Sequence, residues 1–220
     1  EPTASLDVAA QVEVLELLVA ATGLDHSAGT GPPRGVILVT HDLNEAAALA
    51  DRMVVLSRGR TLQSGAPDQV IHRPADRDVA RLVGQRNIFN GIVKGPSPDA
   101  SRHLLLDWEG LELTVEGAFG FRPGTPVDWM IPGSSIIWQR PDRPRPGDRE
   151  NSLEGRVKEL LGLGDACAVT FALDAPGERC LHFALPIHVV RRHGVRAGDR
   201  ATVSLLAAQI HLMPAGARPD

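Results

Sequence analysis

A heptapeptide that recurs 64 residues further on constrains this chain more than any other feature. Asn87-Ile-Phe-Asn-Gly-Ile-Val93 returns as Asn151-Ser-Leu-Glu-Gly-Arg-Val157, sharing the Asn, an apolar third residue, the Gly and the Val. A second echo follows in the same order. Arg122-Pro-Gly124 is followed by Ile136 fourteen residues after its Arg, and Arg196-Ala-Gly198 by Ile210 fourteen after its own. Ordered self-similarity of this kind marks a duplicated supersecondary unit. Around the copies, short apolar runs are separated by Gly, Pro and Asp, and the helical period fades, which predicts strands. Residues 86–139 and 151–220 therefore read as two small all-β repeats. Residues 140–150 between them form a charged, Pro-rich linker expected to be stiff and exposed.

Residues 1–85 have a different texture. From Asp7 to Ala21, Val8, Val12, Leu15, Leu18 and Val19 fall at helical spacing with Glu13 and Glu16 off that stripe, predicting an amphipathic helix. A Gly/Pro-rich connection leads to Val36-Ile37-Leu38-Val39-Thr40, the uninterrupted apolar run of a parallel strand covered on both faces. Asp42-Leu-Asn-Glu45 is a candidate capping box ahead of an Ala-rich helix reaching Ala50. A strand is expected at Met53 to Leu56, a tight turn at Ser57-Arg58-Gly59-Arg60, and a strand through Thr61-Leu62-Gln63. Pro67 opens a further helix that runs, with a break near Pro74, to about Val83. The succession reads as the second half of an α/β domain.

Composition excludes several classes. A net charge of -4 leaves no basic footprint for phosphate-driven nucleic-acid binding. Ala201 to Ala217, the longest uncharged stretch, is interrupted by Ser204, Gln209, His211 and Pro214 and falls short of a membrane span. Cys167 and Cys180 form no CxxC pair, and His72, His103, His182, His188, His193 and His211 form no metal-ligand cluster, so no metal site is expected. Trp108, Trp129 and Trp138 lack an accompanying basic stripe and read as barrel core or interface. With neither an initiator Met nor a signal segment at Glu1, the chain reads as a piece of a longer protein.

Glu1-Pro-Thr-Ala-Ser-Leu-Asp7, then Val-Ile-Leu-Val-Thr-His41-Asp42, then Glu45-Ala-Ala-Ala-Leu-Ala-Asp-Arg-Met53 and Leu56-Ser-Arg-Gly-Arg60 resemble the C-terminal half of an ATP-binding cassette (ABC) transporter ATPase. The resemblance implies a fold class of α/β partial P-loop NTPase over residues 1–85. It makes Glu1 the carboxylate that orients the water attacking the γ-phosphate, and His41 the switch histidine that contacts that phosphate. Ser5, Leu6 and Asp7 fall on the D-loop that crosses the dimer interface. Lys94 and Lys158 are the only lysines and neither follows a Gly, so no Gly-x-x-x-x-Gly-Lys-Ser/Thr loop is present. ATP and Mg2+ are therefore expected only of a longer parent, and the chain alone is expected to be inactive.

The tandem repeats resemble TOBE or Mop-type domains, which implies OB-like barrels. Residues 151–214 are most similar to the Mop domain of molybdate importers, implying molybdate as a regulatory ligand. Arg149, Asn151, Ser152 and Lys158 are the candidate oxyanion donors, although Asp148 and Glu150 stand where they would repel an anion. The resemblance implies an ATP-hydrolysing importer subunit on the cytoplasmic face of the membrane, for molybdate or a related oxyanion. Its partners would be a second copy of itself, a membrane permease and, indirectly, a substrate-binding protein. The alternatives are an importer ATPase for sulfate, iron, polyamine or sugar, or a non-enzymatic oxyanion-binding or dimerisation module.

Overall fold

The computed structural model describes Val14, Leu17 and residues 35–98, 102–117, 120–139, 150–175, 177 and 179–216. The chain divides into two compact units, Glu1–Ile71 and His72–Asp220.

In the first unit, helix α1 (Leu43–Leu49) starts where Asp42 caps it, its side chain accepting from the N–H groups of Asn44 and Glu45. The Asp42 N–H donates to the Thr40 hydroxyl at 3.0 Å, and Glu45 joins the same cap. Its carboxylate accepts from the Thr40 hydroxyl at 2.7 Å. Strands β1 (Met53–Ser57) and β2 (Arg60–Gly65) form an antiparallel hairpin. Its two-residue turn places Arg58 at φ 48° and Gly59 at φ 73°, the positive pair that matches the right-handed twist of the flanking strands. Helix α2 (Pro67–His72) opens on its Pro and buries Val70. Of the expected helix from Asp7 to Ala21, only Val14 and Leu17 are among the described residues, and both are helical.

The expected parallel strand at Val36 to Thr40 does not form. Residues 35–40 carry no regular structure, and Val36, Ile37 and Val39 are 53%, 94% and 73% exposed. A central parallel strand needs a hydrogen-bonded neighbour on each edge and cover on both faces. Among the described residues no strand pairs with this run.

The second unit opens with helix α3 (Arg77–Leu82), capped by the Asp76 carboxylate, and continues as strands. These are β3 (Ile88–Pro96), β4 (His103–Trp108), β5 (Leu111–Glu116), β6 (Pro126–Met130) and β7 (Ile136–Trp138). Then come β8 (Glu150–Leu163), β9 (Ala166–Leu173), β10 (Cys180–Pro186), helix α4 (Ile187–His193), β11 (Arg200–Leu206) and β12 (His211–Pro214). Two five-stranded antiparallel sheets result, ordered β12-β6-β3-β4-β5 and β7-β11-β8-β9-β10. The two orders match strand for strand, as a duplication requires. The outer strand, however, is exchanged: β7 of the first copy pairs with β11 of the second, and β12 of the second pairs with β6 of the first. One apolar cluster, from Val93, Leu106, Trp108 and Trp129 to Phe171, Leu181 and Val203, runs through both copies.

The duplicated motif is thereby decoded. Phe89 packs against the core and Leu153, its counterpart, is buried in it, as are Val93 and Val157. Gly91 and Gly155 sit where a Cβ would collide with the adjacent strand. The Arg-x-Gly echo is a turn that docks on the motif Val. Gly124 N–H donates to Val93 O at 2.7 Å and Gly198 N–H to Val157 O at 2.8 Å, both glycines having positive φ. The offset between copies grows from 64 residues at the heptapeptide to 74 at this turn. Part of the difference lies in the connection from β9 to β10, longer than that from β4 to β5, and the rest in the segment that carries helix α4.

Candidate functional site

The best-defined polar constellation lies where the copies meet. Asn151 opens β8 with its side chain buried; its Oδ1 accepts from Thr114 N–H at 2.6 Å and its Nδ2 donates to Thr114 O at 2.9 Å. Asn87 repeats the arrangement on the other copy, with Nδ2 donating to His182 O and Oδ1 accepting from His182 N–H, both at 2.7 Å. A carboxamide carries the same donor and acceptor as a peptide group, so each Asn acts as one rung of ladder on the opposite copy's strand, β5 or β10. No other side chain of this length offers both functions to a backbone pair.

A second cluster joins β7, β8 and β11. Gln139 Nε2 donates to Ser152 Oγ at 2.8 Å and to the buried Ser204 hydroxyl. At the opposite margin, Arg179 is buried with its guanidinium 5.2 Å from the centre of the Trp108 ring, and donates to Trp108 O. Helix α3 is tied to the first sheet by Arg77, which donates to Asp128 at 2.8 Å and to the Asn90 side chain.

The residues singled out from sequence are scattered. Glu1, Ser5, Leu6, Asp7 and Arg149 lie outside the described residues. His41 is exposed on the bend between residues 35–40 and the Asp42 cap. Asn151 and Ser152 point to opposite faces of β8, one buried and one exposed, as alternation along a strand dictates. Lys158 is the extra residue of a β-bulge seven positions after Asn151, roughly 20 Å along the strand. The Asn151 amide donates to Thr114 O and, at 3.4 Å, to Leu205 O, so both its N–H groups are engaged within the fold. The described donors thus do not converge on one point, which is what a tetrahedral anion requires. Gln139, Ser204, Thr114 and Arg179 were not anticipated. A buried Asn at the head of each repeat was the one available signal for the clasps.

Two histidines are perturbed. His182, half-buried on β10, has its pKa lowered by desolvation and by the charge of Arg86, against an opposing effect of Glu159. His211, whose Nε2 lies 2.8 Å from Pro74 O, is lowered by desolvation, partly offset by that hydrogen bond.

No family model matches the chain. It is 32% identical over 180 residues to the spermidine/putrescine import ATP-binding protein PotA of Rubrobacter xylanophilus, covering 80% of this chain and 42% of that protein. The sn-glycerol-3-phosphate import ATP-binding protein UgpC of Ralstonia nicotianae is 33% identical over 183 residues, covering 80% and 45%. This chain is a relative of ABC-importer ATP-binding proteins. A shorter match, 52% over 64 residues, joins it to the Fe(3+) ions import ATP-binding protein FbpC of Streptomyces coelicolor, covering 29% of this chain and 18% of that protein. The chain spans less than half the length of these relatives. Among solved structures, the cytoplasmic molybdate-binding protein ModG, with molybdate bound, aligns over 60% of this chain and 98% of its own at a TM-score of 0.50 and 18% identity. That likeness shows that the β repeats share the fold of that protein. Among the described residues no helix is long and apolar enough to cross a membrane.

Proposed function

We propose that this chain is the C-terminal portion of the ATP-hydrolysing subunit of an ABC importer, with a duplicated β unit that serves as its regulatory or assembly domain. The observation that carries this reading is the ordered similarity of 80% of the chain to importer ATP-binding proteins at 32–33% identity. Phosphoryl transfer is mostly positioning and charge stabilisation. Here Glu1 would orient the attacking water and His41 would contact the terminal phosphate. ATP, held with Mg2+ elsewhere in the longer protein, would supply the leaving group. Ser5, Leu6 and Asp7 would lie at the junction with a second subunit, and a membrane permease fed by a substrate-binding protein would receive the work. The exposed run from Val36 to Val39 agrees with this, being the texture of a strand whose sheet neighbours come from outside the described residues.

For the cargo, the relatives' names spread over polyamines, sn-glycerol-3-phosphate and iron. The molybdate expected from sequence has one support, the fold of ModG, and the separated donors on β8 weigh against an oxyanion site within one chain. The test uses the longer protein carrying a P-loop. Glu1→Gln there should abolish most ATP hydrolysis while leaving nucleotide binding intact, and His41→Ala should lower hydrolysis by about 10² or more. Hydrolysis surviving Glu1→Gln refutes the assignment. Calorimetry of the present chain with molybdate tests the cargo-sensing alternative, which needs heat without nucleotide.

A further inference from the structure

The second copy carries a cationic end face that nothing in the ATPase reading uses. Helix α4 ends on Arg191, Arg192 and His193, all exposed, while Ile187 and Val190 pack into the core. Gly194, at φ 61°, turns the chain, and the buried Val195 closes the helix with its N–H on Val190 O at 3.0 Å. The turn from Arg196 to Asp199 then docks on β8, Gly198 N–H donating to Val157 O and Val157 N–H to Asp199 O at 2.9 Å. That contact sets the turn against the bulge that exposes Lys158. Arg200 follows, opposite Arg156 in the register of β11 and β8, the two side chains 77% and 63% exposed. The acids here are few. Asp174 is shared by Arg200 and Arg156, the Asp199 carboxylate accepts from Arg196 N–H at 2.7 Å, and Glu154 lies one row along β8. Glu159 follows Lys158 but accepts from the Thr170 hydroxyl, and Asp165 stands at the opposite, N-terminal end of α4. Among the described residues Lys158, Arg191, Arg192 and Arg196 make no ion pair.

Helix chemistry explains only part of this. Cations in a last turn complement the carbonyl end of a helix, which covers Arg191 to His193 and none of the cations beyond Gly194. Like charges directly opposite across a strand pair are destabilising, yet Arg156 and Arg200 stand so, with Asp174 to offset them. Local conflicts of this kind are kept at functional surfaces. The first copy has none of it. Ile92 and Pro126 pair where Arg156 and Arg200 do in the second, and Lys94, the counterpart of Lys158, is matched by Asp107. Its connection from β5 to β6 holds Arg122 as its one charged residue. The cations therefore belong to the second copy and not to the barrel fold. They are spread over a helix end, a turn and two strands, so they do not converge on one tetrahedral anion. The exposed residues of α4 are His188, Arg191, Arg192 and His193, which leaves it no apolar side chain to insert into a bilayer. A chain of carboxylates fits both facts, because each guanidinium can take one carboxylate in a bidentate pair. We propose that this face docks an acidic segment of a partner protein. About six to eight extended residues, roughly 20–27 Å long, span such a surface. The proposal goes beyond the ATPase reading, since it needs neither nucleotide nor the residues assigned to nucleotide.

The experiment is fluorescence anisotropy of a labelled peptide of alternating Glu and Asp, about ten residues long, titrated with the 220-residue chain at low and at physiological salt. Melting curves are taken in parallel. Binding is expected, and salt should weaken it by screening. Arg191→Glu combined with Arg192→Glu should weaken it about tenfold or more, and Lys158→Glu about threefold or more. Lys158 lies outside the helix, so its variant reads the face even where the double variant melts early. Arg58→Glu combined with Arg60→Glu makes the same change of charge on the exposed β1–β2 turn and should leave binding within about twofold. A peptide that does not bind at low salt overturns the proposal. So does binding that falls as much in the β1–β2 variant as in the α4 variant, or that ignores both the α4 and the Lys158 changes. Tighter binding to vesicles of equal parts phosphatidylglycerol and phosphatidylcholine, to oligouridylate or to inorganic phosphate than to the peptide overturns it as well. None of these outcomes bears on Glu1, whose test is hydrolysis by the longer protein.

Discussion

Gly155→Ala isolates the steric demand of the repeated motif. Gly155 has no positive φ, so its role is space rather than backbone freedom. A Cβ there would lie 2.2 Å from Ala172 O and 2.7 Å from Phe171 Cε1. The carbonyl belongs to β9, held in ladder to both neighbours, and the ring is fully buried among the core residues. Relief requires β8 and β9 to separate by about 1 Å, breaking rungs on both sides, or the ring to leave its rotamer. Overpacking of this kind costs about 1–3 kcal/mol or more, and the lower entropy of Ala in the unfolded chain returns about 0.5–1 kcal/mol. From the upper end of that cost the net loss is roughly 2–2.5 kcal/mol, equivalent to about 4–10 °C in a unit of this size. Gly91→Ala supplies the internal comparison. Its Cβ would meet the end of the Leu106 side chain at 2.8 Å and Asp107 O at 3.0 Å, a milder collision that a shift of the leucine and a few tenths of an ångström in the carbonyl relieve, so the loss should be near 1 kcal/mol. Thermal and urea melts followed by far-UV circular dichroism read both. Gly155→Ala melting within about 2 °C of the parent chain, or Gly91→Ala being the worse of the two, would refute the reasoning.

Three further outcomes follow from the same geometry. Asn87→Ala or Asn151→Ala should each cost about 2–4 kcal/mol in urea unfolding, because the backbone N–H and C=O of His182 or Thr114 lose their partners in a buried setting. Asn→Asp, which keeps the acceptor and loses the donor, should rescue little. His211 and His182 have folded-state pKa values below their ordinary value; the unfolded chain then binds more protons, so stability should fall as pH drops below about 6.5. Melting temperature measured from pH 7.5 to 5 should show this slope, and His211→Gln should flatten it. A fragment ending after the first copy leaves β6 without β12 and β7 without β11, so it should be unfolded or concentration-dependent in its folding when followed by circular dichroism, never a stable monomer.

What sequence made legible was local. Asp42 as a cap, Pro67 as a helix start, the Ser57–Arg60 turn and the duplicated strands all depend on neighbours within a few residues, where capping and turn chemistry act directly. The exchange of β7 and β12 was not legible. The echo of Asn, Gly and Val is equally compatible with barrels that close on themselves, and strand choice is a non-local competition. The Asn clasps were hidden for a related reason, since their partners are backbone groups of Thr114 and His182, which no residue type announces. Grouping Asn151 with Ser152 among the oxyanion donors did not allow for alternation, by which adjacent residues on β8 face opposite ways. The run at Val36 to Thr40 has the composition of a buried strand, yet composition states only what cover a segment needs and not whether the cover is there.

Exchange and clasp together make the two copies mechanically one. The first sheet is completed by a strand from the second copy, the second sheet by a strand from the first, and each motif Asn adds a rung across the boundary. A domain assembled this way cannot loosen one barrel and keep the other, since the shared core would open with it. The clasp from Asn87 of the first copy lands on His182 of β10. Helix α3 is fixed to Asp128 and Asn90 of that first copy, so the clasp and the helix that opens this unit both hold the same sheet.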